Sequence, residues 1–242
     1  MENLPKNSLD PTVDNLEMMA DAINYQNWIY SQFEKHIGSR IVEMGAGIGN
    51  YTKLLLNKEL IVAVDNCSPC IEYMKNRFSN NKNIIPLKMD ISKSDVNDLA
   101  LYKPDTIICL NVLEHIQEDE EALSYMYNTL VKDGKLLLLV PAFKCLFGGV
   151  DLLVGHCRRY QKKELREKLT RAGFKIRDLY FMNSIGMAGW FLNNRILKRN
   201  EQPSSQVMFF DKFVVPWLSN LERFIRVPFG LSLIAIAEKE IK

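Results

Sequence analysis

The stretch Val42-Glu43-Met44-Gly45-Ala46-Gly47-Ile48-Gly49-Asn50-Tyr51-Thr52 carries the reading of this chain. An apolar run over 40–44 predicts a strand. Three glycines follow at alternate positions, 45, 47 and 49, and then a helical pattern over 51–56. Glycine lets backbone approach a ligand closely, and a helix start offers unpaired N–H groups. Strand, glycine loop and helix together read as a ligand cradle.

Outward from this loop, short apolar runs alternate with amphipathic segments. Strands are expected over 60–64, 83–87, 105–110, 135–140, 174–181 and 231–237. Helices are expected from Ser68, read as an N-cap before Pro69, to about residue 78, and over 118–130 and 162–172, with a short one over 96–101. Strands alternating with helices predict a parallel sheet. Apolar residues at helical spacing over 15–37 predict one or two N-terminal helices stopped at Gly38. The expected fold is α/β. It is a Rossmann-like, seven-stranded, mostly parallel sheet with helices on both faces. Within one domain, 1–37 form a helical cover, 38–182 the core, 183–229 a helical lid inserted before the last strand, and 230–242 the final strand and tail.

Composition narrows the function. The chain has 242 residues with 31 basic and 29 acidic side chains, a net charge of +2. That balance gives no reason to expect a nucleic-acid partner. Five scattered cysteines do not form a secreted disulfide framework. Cys67-x-x-Cys70 lacks the second ligand pair that structural zinc needs, so reduced thiols are expected. The longest apolar run, 136–143, is broken by Pro141 and is far shorter than the roughly 18–20 residues of a membrane span. A cytoplasmic protein is expected, with at most peripheral membrane contact.

Two cofactor classes use a glycine cradle. Dinucleotides favour G-x-G-x-x-G, whereas here the spacing is G-x-G-x-G and Asn50 holds the sixth position. Glu43 would repel a pyrophosphate and tolerates a cationic amine. Polar groups end the next predicted strands: Asp65 and Asn66, then Asp90 beside Ile91, then Asn111 before Leu113. Ligands of open α/β sheets bind outside the carboxyl ends of the strands. A carboxylate there can accept ribose hydroxyls, and an acceptor beside an apolar side chain suits adenine.

With VEMGAGIGNYT, VAVDNC, KMDIS and DTIICLNVLEHI in sequence order, the chain resembles class I S-adenosylmethionine-dependent methyltransferases, of the generic bacterial type 11/12 group. The resemblance implies S-adenosylmethionine as cofactor and S-adenosylhomocysteine as product. It implies that Glu43, Gly45, Ala46, Gly47 and Gly49 hold the methionine end, Asp65 and Asn66 the ribose, and Asp90 with Ile91 the adenine. Asn111 and Leu113 would lie along the methionine side, and Tyr25 and Trp28 would cover the cofactor.

The methyl group of a sulfonium is already electrophilic, so the protein mainly aligns a nucleophile and excludes water. A base is needed only where the acceptor must lose a proton. His156, His115 and Asp151 are the candidates. Phe147, Arg158, Arg159, Tyr160 and Trp190 are candidate acceptor contacts, the arginines for an anionic group. The segment from Asn111 to His115 also resembles one in ubiquinone-type O-methyltransferases that reads E-x-x-E-H and is associated with a divalent metal; here Asn111 takes the first acidic position ahead of Glu114 and His115, so no metal is expected. The apolar, aromatic segment 184–225 suggests an apolar cavity or a membrane-facing surface. The reading is methyl transfer, to oxygen first, of a small-molecule, secondary-metabolite, glycan or lipid-linked acceptor. A small-molecule N-methyltransferase, a non-catalytic partner subunit that binds the cofactor and an NAD-dependent oxidoreductase are the alternatives. A monomer or a homodimer would serve.

Overall fold

The computed structural model describes residues 11–192 and 204–240. Two helices, α1 (Pro11–Ala20) and α2 (Ile23–Phe33), precede the first strand. Strands β1 (Arg40–Met44), β2 (Leu60–Asp65), β3 (Ile84–Lys88), β4 (Thr106–Leu110), β5 (Lys135–Pro141), β6 (Lys175–Met182) and β7 (Ser232–Glu238) form one seven-stranded sheet. Its order is β3-β2-β1-β4-β5-β7-β6. Only β7 runs against its neighbours, β5 and β6. The mostly parallel sheet expected from the sequence is therefore observed.

Alternation along each strand builds two cores. Val42, Val62, Ile107 and Leu138 pack on one face, with α4 (Asp119–Thr129) and α6 (Lys162–Arg171). Ile41, Ile61, Ile108 and Leu137 pack on the other, with α2 and α3 (Ser68–Arg77). Near-continuous apolar strands are what a sheet covered on both faces requires.

Three local expectations need correction. The glycine loop leads into a single 3₁₀ turn, Thr52–Leu54, and not an α-helix. Cys67, rather than Ser68, caps α3, because Cys67 is still extended while Ser68 is already helical. Cys67 and Cys70 are joined as a disulfide, against the expectation of reduced thiols. The first turn of α3 puts residues three apart on one side, with Cα atoms 5.3 Å apart, within disulfide reach.

The long connection after β5 is partly ordered into α5 (Gly149–Leu153), and Ala142 pairs with Tyr160 beside the sheet. Between β6 and β7 lie α7 (Ser184–Phe191), α8 (Ser204–Phe209), a π-helical turn (Phe210–Val214) and α9 (Val215–Phe224). They fall in the segment 183–229 where a helical lid is expected, of which 193–203 lie outside the described residues. Among the described residues, no helix is long and apolar enough to cross a membrane.

Candidate active site

The glycine loop sits where β1 stops. Gly45, Gly47 and Gly49 all take positive φ, at 72°, 56° and 81°, a region other residues rarely enter. A side chain at Gly45 would also run into Val112. The loop forms one wall of a cavity of about 220 Å³, with Glu43, Ala46, Asn50, Asn111, Tyr25 and Gln26 among the other walls.

This cavity is rich in acceptors. Glu43 is 3% exposed, and Thr52 Oγ1 donates to its Oε2 at 2.5 Å. Burial pushes the Glu43 carboxyl up to about 7. Gln26 Oε1 and Asn50 Oδ1 are buried with no hydrogen-bond partner among the described residues. Buried acceptors rarely go unpaired. Three acceptor groups around one small space suit a ligand that brings N–H donors and positive charge. Asp65, at the end of β2, takes the Gly47 amide on Oδ2 (2.8 Å) and the Cys67 amide on Oδ1 (2.9 Å). Its carboxylate is thus held at the edge of the glycine loop.

A second cavity, of about 520 Å³, adjoins the first and shares Met19, Ala22, Tyr25 and Asn111 with it. Its far walls come from the lid: Gly189 and Trp190 on α7, with Phe209, Phe210 and Val214. His156, Arg159 and Asn183 are among its polar groups. Asn111 owes its place to a backbone φ of 53° at the end of β4.

Asp151 organises the chemistry beside this cavity. It is fully buried. Its Oδ1 accepts from Arg159 Nε and lies 2.8 Å from His156 Nδ1, and its Oδ2 accepts the Gly148 amide. The Arg159 guanidinium lies over the Trp190 ring, 4.5 Å from its centroid. The other nitrogen of His156, Nε2, lies 3.7 Å from Glu114 Oε1. Glu114 is fully buried, and among the described residues neither carboxylate oxygen has a hydrogen-bond partner. Burial pushes its carboxyl up to about 8. The His115 ring packs edge-on against His156, centroids 4.7 Å apart, and burial followed by that neighbouring ring holds His115 below the ordinary imidazole value. One donor atom each from Glu114, His115 and His156 lie within 4.8 Å of one another, close enough to share a cation.

The structure thus brings together Tyr25, Glu43, Gly45, Ala46, Gly47 and Asn111 around the first cavity, and His156, Arg159 and Trp190 around the second. Other candidates fall elsewhere. Trp28 (3% exposed) and Leu113 (0%) pack in the two cores. The buried Tyr160 hydroxyl donates to Asp119 Oδ2 at 2.8 Å, and Arg158 pairs with Asp119 at 3.0 Å. Asp90 bonds to the Ser92 amide and hydroxyl, closing its own turn, and Ile91 packs beside the core. Asn66 is exposed, and neither it nor Phe147 lines either cavity. Sequence reasoning missed Gln26, Asn50, Asn183 and Asp211, and weighed Glu114 only as one member of an incomplete metal set with His115.

Residues 14–179 match a family described as a methyltransferase domain. The chain belongs to this methyltransferase family. An "uncharacterized methyltransferase" of Staphylococcus carnosus is 28% identical to it over 140 residues, covering 56% of this chain and 63% of that one. "Probable polyketide synthase 41" of Dictyostelium discoideum is 27% identical over 149 residues, covering 53% of this chain and only 6% of that protein. The chain therefore spans a small part of some relatives and under two thirds of another. Among solved structures, an S-adenosylmethionine-dependent methyltransferase of Mesorhizobium loti aligns with a TM-score of 0.58 and 12% identity, over 87% of this chain and 97% of that one. The [4+2]-cyclase SpnF aligns with a TM-score of 0.60 and 14% identity, over 90% and 81%. At such identities these structures establish the shared class I fold alone. The cyclase is a reminder that one fold hosts several chemistries.

Proposed function

We propose that this methyltransferase moves the methyl group of S-adenosylmethionine to an oxygen of a small or lipid-linked, largely apolar acceptor. The observation that carries this reading is the pair of adjoining cavities. One is small and lined with buried oxygen acceptors; the other is larger, mostly apolar and walled on its far side by the helices between β6 and β7.

In the first cavity, Glu43, Gln26 Oε1 and Asn50 Oδ1 accept from the cofactor's amino group, and the glycine loop lets backbone approach its amino-acid end. Asp65 takes the ribose hydroxyls. When bound, the cofactor supplies an electrophilic methyl on sulfur. Asn111 and Tyr25 lie on both cavities and so stand between donor and acceptor. In the second cavity the lid aromatics exclude water and seat the acceptor's apolar body. An attacking hydroxyl must shed a proton. His156 takes it at Nε2, since Asp151 holds Nδ1 and with it the ring's tautomer and orientation. The near-neutral charge keeps nucleic acid out of this reading.

Calorimetry with S-adenosylhomocysteine, followed by transfer of a labelled methyl to a panel of apolar alcohols and phenols, tests the proposal. Saturable binding with label in an ether product is the expected result. Label appearing only in amine acceptors would move the reading to nitrogen. Binding without transfer to any acceptor would favour a non-catalytic partner subunit.

A further inference from the structure

The segment from Ser205 to Phe229 keeps large apolar side chains on the outside of the lid. Phe209, Phe213, Trp217 and Leu221 recur every fourth residue and Phe224 follows three later. Their exposures are 61%, 60%, 61%, 40% and 83%. On a helix that spacing is one continuous stripe. Ile225 and Phe229, beyond the end of α9, are exposed as well. A contiguous apolar patch this rich in aromatics marks an interaction surface.

Charge along the same segment is sorted by direction. Its two acids are turned to the body of the protein. Asp211 is buried and accepts the amides of Asn24 and Tyr25. Glu222 accepts the amides of Asn183 and Ser184 and the Ser184 hydroxyl. Its three bases, Lys212, Arg223 and Arg226, are exposed beside the stripe, Arg226 with Asp178 3.7 Å away and its guanidinium over the Tyr180 ring. The outward face is thus aromatic and basic.

From this arrangement we propose that the α8–α9 face docks on an anionic lipid bilayer. An amphipathic helix with Trp and Phe on one side and Lys and Arg beside them lies in the plane of the interface, its rings at headgroup depth. Anionic headgroups complement the bases. A second copy of the chain does not, because a two-fold contact sets each patch against itself and would bring the same three bases together. Continuity with the acceptor cavity supports the choice. Phe209 belongs both to the exposed stripe and to the cavity wall, so the cavity borders the surface set against the bilayer. A lipid-linked acceptor could pass from membrane to cavity without crossing water. That last step rests on the acceptor reading above, whereas docking itself does not.

The test uses the full chain and two sets of vesicles, one of phosphatidylcholine and one with added phosphatidylglycerol. Flotation should show at least tenfold more protein on the anionic vesicles, and less as salt is raised. The double variant Phe213→Ser/Trp217→Ser should lose at least tenfold of that binding. Lys212→Glu/Arg223→Glu should lose the preference for anionic lipid. Both variants should keep the wild-type melting temperature and S-adenosylhomocysteine affinity, which separates failure of docking from failure of the cofactor reading. If the double serine variant misfolds, Trp217→Ser alone, or quenching of Trp217 emission by brominated lipid, decides the matter. No binding to either vesicle overturns the proposal, as does binding unchanged in the variants. Concentration-dependent dimers without vesicle binding, abolished by the serine variants, would assign the face to a second copy instead.

Discussion

Asp211 caps helix α2 from the other end of the chain: its Oδ1 accepts the Tyr25 amide at 2.7 Å, and its Oδ2 the Asn24 amide, 187 residues away, at 3.3 Å. Helix α2 has no cap of its own, since Ala22 occupies the position. The lid therefore completes the N-terminal helix that carries Tyr25 into both cavities.

Removal of this cap should be felt in both stability and binding. Asp211→Ala is expected to cost about 1–2 kcal/mol, the usual worth of an N-cap, read from urea denaturation. S-adenosylhomocysteine should bind more weakly as Tyr25 loosens. Asp211→Asn, which keeps one acceptor oxygen, should lie between. Wild-type stability in the alanine variant would show that the cap contributes nothing.

Glu43 should make cofactor binding depend on pH. Its carboxyl is held at about 7 by burial, so a large fraction is protonated near neutrality. A cationic ligand favours the ionised form, so binding should release a proton at pH 6 and tighten as pH rises through 7. The sign for folding is opposite. A raised carboxyl favours the protonated form in the native state, so stability falls as pH rises from the unfolded value, roughly 4.3, through 7. Glu43→Gln should remove both trends and lower affinity. Calorimetry in buffers of different ionisation enthalpy counts the proton, and the same affinity at pH 6 and 8 would contradict the assignment.

Asp65→Ala removes the acceptor that orders the glycine loop through Gly47 and the start of α3 through Cys67. S-adenosylhomocysteine affinity should fall by about tenfold or more, on the order of 1.4 kcal/mol. Asp65→Asn keeps one oxygen and should recover part of the loss. Unchanged affinity in the alanine variant would remove Asp65 from the ribose site.

His156→Asn tests the proton-handling group. A lost general base costs on the order of 10²–10⁴ in rate, so kcat should fall within that range while S-adenosylhomocysteine affinity holds, since His156 lines only the second cavity. Asp151→Asn should also slow turnover, and because it leaves buried Arg159 without its carboxylate it should lower the melting temperature. Full turnover in the His156 variant would transfer the role to another group.

Much of the first cavity was legible because its residues are contiguous or sit at strand ends. The glycine loop is one segment, and Asn111 follows a recognisable apolar run. Trp28 and Tyr160 were misplaced for a shared reason: an aromatic side chain in a helix or loop has the same sequence signature whether it packs inward or faces a ligand. Asp90 illustrates another limit. A carboxylate after a strand can bind a ligand or close a turn, and only the structure shows that Oδ1 of Asp90 holds the Ser92 amide and hydroxyl. Gln26 and Asn50 were invisible because an amide gains meaning only when its partners, or their absence, are known.

The sequence alone determined the sheet, its helices and the glycine loop, since these follow from local periodicity and from backbone angles that glycine adopts freely. Tertiary structure decided which side chains meet. Asp151 with His156 and Arg159, Glu114 beside His156, and Asp211 beneath α2 are contacts between segments whose distances are set by packing. Sorting of the lid's charges, acids inward and bases outward, was likewise decided there, because helix rotation is fixed by what the buried face can satisfy.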